Sequence, residues 1–155
     1  MQANEAFNFA GRHLIASYLD CDLKRLTDVE ALLAAMKEAV NKCGASLLNE
    51  SHHVFEGNGM TAVMLLSESH ASIHTYPEHN ACFVDIFTCG DHCSPEAFDK
   101  VLREYLRPEK VSVKLLCREG HIDDISHEFT HPVMEYESTH ETYSFAPPAG
   151  RVTVA

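Results

Sequence analysis

The 155-residue chain is long enough to bury a hydrophobic core, and we expect residues 1–155 to form a single domain. Its formal net charge of −11, with only twelve Lys and Arg residues, disfavours the basic patch that nucleic acid or an anionic membrane surface needs. No basic N-terminal region precedes an apolar run, and no stretch approaches the roughly 20 apolar residues of a membrane span. We therefore expect a cytoplasmic protein whose six cysteines are reduced.

The first predicted elements are a strand and a helix. Residues 1–10 are expected to form a loose tail, and residues 11–20 mix β-branched, aromatic and apolar side chains as a strand does. Thr27 followed by Glu30 matches a capping box, and apolar residues then recur at helical spacing until Gly44. This pattern predicts a helix that begins after Thr27 and ends at Gly44.

Four strands are predicted in the middle of the chain. They cover residues 45–55, 60–66, 71–76 and 81–88, which are rich in apolar and β-branched side chains or alternate in polarity. Residues 56–59, Glu-Gly-Asn-Gly, tolerate the positive φ angles of a hairpin turn. Because the connections are short, we expect these strands to pair antiparallel.

A second helix and a last strand complete the predicted fold. Ser94 and Pro95 provide a cap and a first helical residue, Pro108 ends the helix, and residues 111–117 form the strand. Residues 119–155 show no clear period and are expected to be a weakly structured extension. This order of elements predicts an α+β fold, a two-layer α/β sandwich whose mainly antiparallel sheet carries helices on one face. The other face must meet water or a partner.

Residues 66–79 concentrate hydroxyls, carboxylates and three imidazoles directly after an apolar strand. Such a cluster is either a solvated turn or a functional site. Although the chain has eleven histidines, no two pairs of ligands have the spacing of a structural zinc site, so we expect no metal. Ser69 also lies outside the Gly-x-Ser-x-Gly setting of a serine hydrolase nucleophile.

Another chemistry uses the backbone itself. A serine hydroxyl in a strained turn can attack the preceding carbonyl, and a base can then open the resulting ester by removing the serine α-proton. This elimination, followed by hydrolysis, leaves a pyruvoyl group. An amino acid condenses with such a group as a Schiff base, and the group accepts the electrons released when carbon dioxide leaves. His74 and Cys89 are of the residue types that serve as base and proton donor.

Several segments closely resemble the prokaryotic S-adenosylmethionine decarboxylases, which are made as self-cleaving proenzymes. The resemblance runs from about residue 11 to residue 118. The segments that carry it are Gly11-Arg12-His13-Leu14-Ile15 with Cys21-Asp22, Leu66-Ser67-Glu68-Ser69-His70, Ile73-His74-Thr75-Tyr76-Pro77-Glu78 and Val84-Asp85-Ile86-Phe87-Thr88-Cys89-Gly90-Asp91. The function implied is a pyruvoyl-dependent decarboxylase of spermidine and other polyamine biosynthesis.

The resemblance also implies roles for individual residues. Cleavage is expected between Glu68 and Ser69, with Ser69 becoming the pyruvoyl group to which the substrate is bound. His74 matches the processing base, and Cys89 matches the catalytic proton donor that also aids processing. The implied assembly is a homodimer of cleaved protomers, with each site near the subunit interface.

The expected substrate contacts and one departure from the family pattern lie around this stretch. By resemblance, Glu78 binds the ribose hydroxyls and Phe55 stacks on adenine. Thr61 stands where the family usually has a serine that assists processing, so a stiffer hydroxyl is retained there. Because other loop residues also differ, two alternatives stay open, a pyruvoyl-dependent decarboxylase of ornithine or arginine and an unprocessed, non-catalytic homologue.

Other expectations concern geometry and burial. In a regular strand Ser69 and His74 would point to opposite faces, so the mechanism predicts a turn or bulge between them. Asp85, in an apolar strand, should be hydrogen-bonded or point into the site. His70 has no assigned role, and Cys43 and Cys117 are expected to be buried thiols.

Overall fold

The computed structural model describes residues 10–119 and 134–135. The strands, in chain order, are β1 (Ala10–Leu19), β2 (Leu47–Val54), β3 (Met60–Leu66), β4 (Ser69–Tyr76), β5 (Ala81–Cys89), β6 (Lys110–Glu119) and β7 (Met134–Glu135). The helices are α1 (Leu23–Thr27), α2 (Val29–Cys43) and α3 (Pro95–Leu106), with a 3₁₀ turn at Pro77–His79. The strands pair antiparallel in the order β2-β3-β4-β5-β1-β6-β7. The predicted α+β fold is confirmed.

Helix α2 begins one residue later than the capping box predicts. Its N-cap is Asp28, whose carboxylate accepts from the Ala31 backbone N–H at 3.0 Å. Thr27 instead ends α1, where its hydroxyl donates to the Leu23 carbonyl at 2.8 Å. Aspartate is at least as favourable an N-cap as threonine. Asp28 can therefore cap α2 while Thr27 is the last residue of α1. Gly44 ends α2 with φ of 89°, as predicted.

The core lies between α2, α3 and one face of the sheet. Apolar side chains of both helices are buried, and alternate residues of the strands meet them. Fully buried members include Leu14, Tyr18, Leu32, Met36, Met64, Ile73, Ile86, Phe98 and Leu102. This packing makes the sheet a rigid support for whatever its other face carries.

Tyr18, Asp99 and Arg103 form a polar cluster within the core. The Tyr18 hydroxyl donates to an Asp99 carboxylate oxygen, and Arg103 Nη2 lies 2.7 Å from the other oxygen. Asp99 is only 7% exposed, and burial raises the pKa of Tyr18, which keeps that hydroxyl protonated as a donor. The Asp99 carboxylate therefore accepts the hydrogen bond of the buried Tyr18 hydroxyl and balances the positive charge of Arg103.

Replacing Asp99 by alanine should lower the free energy of unfolding by about 3 kcal/mol or more, because the Tyr18 hydroxyl and the Arg103 guanidinium lose their shared acceptor. Urea unfolding followed by circular dichroism measures the change. Lys100→Ala, at the adjacent exposed position of α3, is the control and should differ from wild type by less than about 0.5 kcal/mol. A loss below about 1 kcal/mol for Asp99→Ala would show that the cluster contributes little.

The sheet face away from the helices is here called the open face. On β4 and β5 it carries His70, Ser72, His74, Tyr76, Phe83, Asp85 and Phe87. Large apolar side chains are exposed on it, including Leu65 at 52% and Phe83 at 48%. The open face thus combines a polar network with an uncovered apolar surface.

The ends of the described chain and the cysteines differ in part from expectation. Ala10 already belongs to β1, and the rest of the expected tail lies outside the described residues. In the expected extension, Glu119 ends β6 and β7 pairs with β6, while the other residues lie outside the described part. Cys43 is buried as predicted, but the prediction for Cys117 is wrong, since this thiol is exposed on β6. No helix among the described residues is long and apolar enough to cross a membrane.

Candidate active site

The predicted cleavage bond lies in the tight connection between β3 and β4. Ser67 donates its backbone N–H to the Ser46 carbonyl at 3.0 Å, and the Glu68 carboxylate accepts the Ser46 N–H at 2.9 Å. The Glu68 carbonyl accepts the Cys89 N–H at 3.2 Å. These contacts hold Glu68 through both its side chain and its carbonyl. The carbonyl that a Ser69 hydroxyl would attack therefore already faces a hydrogen-bond donor.

Ser69 starts β4 with an unusual backbone conformation. Its φ is 157°, whereas strand residues have strongly negative values. From Ser69 opposite Thr88 to Tyr76 opposite Ala81, the pairing of β4 with β5 is regular. The predicted turn or bulge between Ser69 and His74 is therefore wrong. The irregularity lies at Ser69 itself, at the end of the strand.

Asp85 organises a hydrogen-bonded network on the open face. One carboxylate oxygen lies 2.9 Å from His13 Nε2 and 3.2 Å from His70 Nε2, and the other accepts from the Ser72 hydroxyl. His70 Nδ1 in turn lies 3.2 Å from Ser69 Oγ. The prediction that Asp85 is hydrogen-bonded is confirmed, and the network connects it to the serine at the predicted cleavage site.

A second group surrounds His74. Its Nδ1 is hydrogen-bonded to the Thr61 hydroxyl, which is directly opposite on β3. The Phe55 and Tyr76 rings lie 5.9 Å and 4.5 Å from the His74 ring. Glu78 is exposed in the neighbouring 3₁₀ turn. The structure thus brings Phe55, Thr61 and His74 together at one end of β4, and Glu78 lies in the turn that follows this end.

The predicted site residues fall into two groups at opposite ends of β4. Ser69 and His74 are five residues apart along the strand, which corresponds to about 16 Å between their Cα atoms. Cys89 lies with Ser69, since β5 ends beside the connection between β3 and β4, residues 67–68, which we call the cleavage turn. We call Glu68, Ser69 and Cys89 the cleavage group, and Phe55, Thr61, His74 and Glu78 the His74 group. Within one chain the groups do not meet.

The Glu68 carboxylate is held in its charged form. The Ser46 N–H and then the Ser67 side chain lower the pKa of Glu68 to about 2. His92 Nε2 lies 3.7 Å away, on the loop that follows Cys89. The Cys43 thiol is nearby, and burial raises its pKa to about 11. Glu68 therefore tethers the cleavage turn as an anion.

Glu68→Gln should destabilise the protein at neutral pH and not at strongly acidic pH. Because the pKa of Glu68 is lowered in the folded state, its contribution is present above the ordinary value of 4.5 and is lost as the pH falls towards about 2. The melting temperature is measured between pH 7 and pH 2 in an uncleavable Ser69→Ala background. Glu38→Gln, at an exposed position of α2, is the control. A Glu68→Gln deficit that stays constant over this range would contradict the assignment.

Two clusters among the described residues bring three donor atoms within 4.8 Å of one another. They are His13, His70 and Asp85, and Glu68, His92 and Cys93. In the first cluster the donor atoms are the same ones that form the Asp85 hydrogen-bond network. We interpret it as that network, and the expectation of no metal stays a prediction.

His13, His70 and Ser72 are parts of the site for which the sequence reasoning gave no role. One signal was available, since Ser72 stands two residues after His70 and alternate strand residues share a face. Pairing of β1 with β5, which brings His13 to Asp85, carries no local sequence signal.

Comparisons with known proteins agree with this architecture. The family model for S-adenosylmethionine decarboxylase matches residues 12–119. An S-adenosylmethionine decarboxylase proenzyme of Parasynechococcus marenigrum is 45% identical over 109 residues, which are 70% of this chain and 85% of the relative. That of Thermosipho melanesiensis is 44% identical over 115 residues, 74% and 88% of the two chains. The crystal structure of the adenosylmethionine decarboxylase from Aquifex aeolicus superposes with a TM-score of 0.68 at 27% identity, covering 78% of this chain and 99% of that one.

The fold and these matches together define the class of protein, which is a decarboxylase. Its relatives are named as proenzymes. The match extends through β1 to β6 and includes both groups of site residues. The chain belongs to the S-adenosylmethionine decarboxylase family. The resemblance found in the sequence is confirmed.

Proposed function

We propose that this protein decarboxylates S-adenosylmethionine after cleaving its own chain between Glu68 and Ser69. The observation that carries the proposal is the geometry of that bond. Its carbonyl accepts the Cys89 N–H, and the Ser69 hydroxyl is hydrogen-bonded to an imidazole. Those are the two aids that an attack of a hydroxyl on a carbonyl requires, a donor for the developing oxyanion and an acceptor for the proton.

The residues present fit a pyruvoyl group derived from Ser69. Ser69 is half-buried at the start of β4, and Cys89 beside it is exposed on the last residue of β5. Such a group supplies an electron sink for decarboxylation. Cys89 is the proposed proton donor, because its backbone contacts the cleavage turn and its thiol is accessible. No other cofactor is required by this proposal.

The His74 group provides the other proposed functions. We assign His74 as the base that removes the Ser69 α-proton, and Thr61, hydrogen-bonded to it, as a processing aid. Phe55, 46% exposed, is available to stack on adenine, and Glu78 is available to accept hydrogen bonds from ribose hydroxyls. These roles require the His74 group to meet the cleavage group, although about 16 Å separates them along one strand.

A homodimer of cleaved protomers resolves this separation. In a two-fold dimer the same surface of both chains faces itself, so the Ser69 end of one β4 can meet the His74 end of the other. The open face is suited to such contact, because its exposed apolar side chains would be buried. The partners of each chain would then be a second copy and a small-molecule substrate. A cytoplasmic location fits this activity.

Mass analysis of the purified protein tests self-cleavage directly. We expect two fragments, residues 1–68 and 69–155, the second with a blocked amino terminus. A single intact chain that retains Ser69 would instead support the non-catalytic alternative.

Release of labelled carbon dioxide tests the substrate. S-adenosylmethionine should react, and ornithine and arginine should not. Phe55 and Glu78 are available to contact adenosine, and these amino acids have no adenosine group. Reaction of the amino acids alone would overturn the substrate assignment while leaving pyruvoyl chemistry in place.

A further inference from the structure

The hydroxyl of Ser69 contacts the imidazole of His70. The two atoms, Ser69 Oγ and His70 Nδ1, are 3.2 Å apart, within the reach expected of a general base. Neighbouring side chains of a strand normally point to opposite faces. Here Ser69 begins β4 with a φ of 157°, and its side chain meets that of His70. A proton acceptor therefore lies beside the hydroxyl.

The surrounding hydrogen bonds determine which nitrogen of His70 carries the proton. A carboxylate only accepts hydrogen bonds, so His70 Nε2, 3.2 Å from the Asp85 carboxylate, must be the donor. In the neutral ring Nδ1 is then unprotonated and accepts from the Ser69 hydroxyl. This is the tautomer that a base acting on Ser69 needs.

Asp85 is in turn held in place by other strands. His13 on β1 lies 2.9 Å from the same carboxylate oxygen, and Ser72 on β4 donates to the other. The Phe87 ring packs 6.1 Å from the His70 ring and 5.5 Å from the His13 ring. The carboxylate and both rings therefore have fixed positions on a rigid sheet, an arrangement that preserves the His70 tautomer.

We infer that His70 is the general base for the first step of self-cleavage, with Asp85 as the residue that positions it. Ser69 Oγ forms a bond to the Glu68 carbonyl carbon while its proton moves to His70 Nδ1. The bond from that carbon to the Ser69 nitrogen then breaks, and the same proton passes to the nitrogen. The product is an ester from Glu68 to Ser69 Oγ with a free Ser69 amine. This inference rests on the proposed function.

His74 has a separate task in this scheme. It is hydrogen-bonded to Thr61 and lies about 16 Å along β4 from Ser69, so within its own chain it does not contact the hydroxyl. It is the proposed base for the later removal of the Ser69 α-proton. Loss of His70 and loss of His74 should therefore stop cleavage at different stages.

Cell-free synthesis of the full chain, followed over time on denaturing gels, measures the rate of cleavage. His70→Ala should slow it by about 100-fold or more, the usual contribution of a general base. The accumulated chain should resist hydroxylamine, because its Glu68–Ser69 link is still an amide. The chain that accumulates with His74→Ala should be cut by hydroxylamine, because it has reached the ester. Added imidazole should partly restore cleavage of His70→Ala.

His70→Asn separates base catalysis from structure, and it also serves if His70→Ala does not fold. Asparagine can accept the Ser69 hydrogen bond but cannot take the proton, so cleavage should remain slow. Asp85→Asn should slow cleavage by about tenfold or more, because an amide donor facing Nε2 favours the opposite tautomer. His52→Ala, at an exposed position of β2, is the matched control and should cleave at the wild-type rate.

Cleavage of His70→Ala or His70→Asn at the wild-type rate would overturn this inference and leave the proposed function intact. A slow His70→Ala chain that hydroxylamine cuts would also overturn it, since the ester would have formed without the base. A wild-type chain that is never cleaved would instead contradict the proposed function itself.

Discussion

Replacement of Ser69 by alanine is expected to leave one uncleaved chain of 155 residues and to abolish decarboxylation. The hydroxyl of Ser69 is both the nucleophile of self-cleavage and the source of the proposed pyruvoyl group. Without it no electron sink forms, and the rate should fall by roughly 10⁶-fold or more, the lower end of enzymatic accelerations. The fold should persist, because Ser69 is half-buried and its side chain contacts His70 at the edge of the network.

Ser67→Ala is the matched control, since Ser67 is also a serine of the cleavage turn. Its exposed side chain hydrogen-bonds to the Glu68 carboxylate and is not placed to become part of the catalytic group. This variant should still be cut and still release carbon dioxide from S-adenosylmethionine. Mass analysis and the labelled carbon dioxide assay, applied to both variants, give the result. Retained activity in uncleaved Ser69→Ala would rule out a cofactor derived from this residue.

Most of the fold could be predicted because its signals are local. The strand β3 was predicted with its observed bounds, and α2 was predicted from helical spacing that ends at Gly44. The helix α1 was missed, since five residues are too short to show a helical period. The order of strands was not predictable in the same way. β1 lies between β5 and β6, and both pairings join residues far apart in the chain.

The site was less predictable, because the distances between its residues depend on how the strands of the sheet pair. Strand alternation correctly indicated that Ser69 and His74 would not meet in a regular strand. The expected bulge assumed that one chain must bring them together, whereas the pairing of β4 with β5 is regular. Asp85 was recognised as unusual, but its partner His13 is 72 positions away. Contacts of this kind follow from strand pairing and not from any local pattern.

If each site is shared between two chains, two inactive variants should complement one another. Ser69→Ala lacks the hydroxyl that attacks the Glu68 carbonyl, and His74→Ala lacks the base for the later step, so each alone should be inactive. In a mixed dimer one site combines both defects, while the other combines the intact Ser69 of one chain with the intact His74 of its partner. Equal co-expression should give about a quarter of wild-type activity, because about half of the dimers are mixed and each holds one complete site.

The complementation test becomes specific when the cut chain of the mixed dimer is identified. With a different affinity tag on each variant, mixed dimers are isolated by two successive purifications, and their chains are examined by mass analysis. The cut chain should be the His74→Ala chain, since the Ser69→Ala chain cannot be cut and supplies the missing histidine. His52→Ala in place of His74→Ala is the control, and it should be cut whether or not it is paired with Ser69→Ala. Mixed dimers with no cut chain would show that each site forms within one chain, and a failure to recover mixed dimers would contradict the dimer.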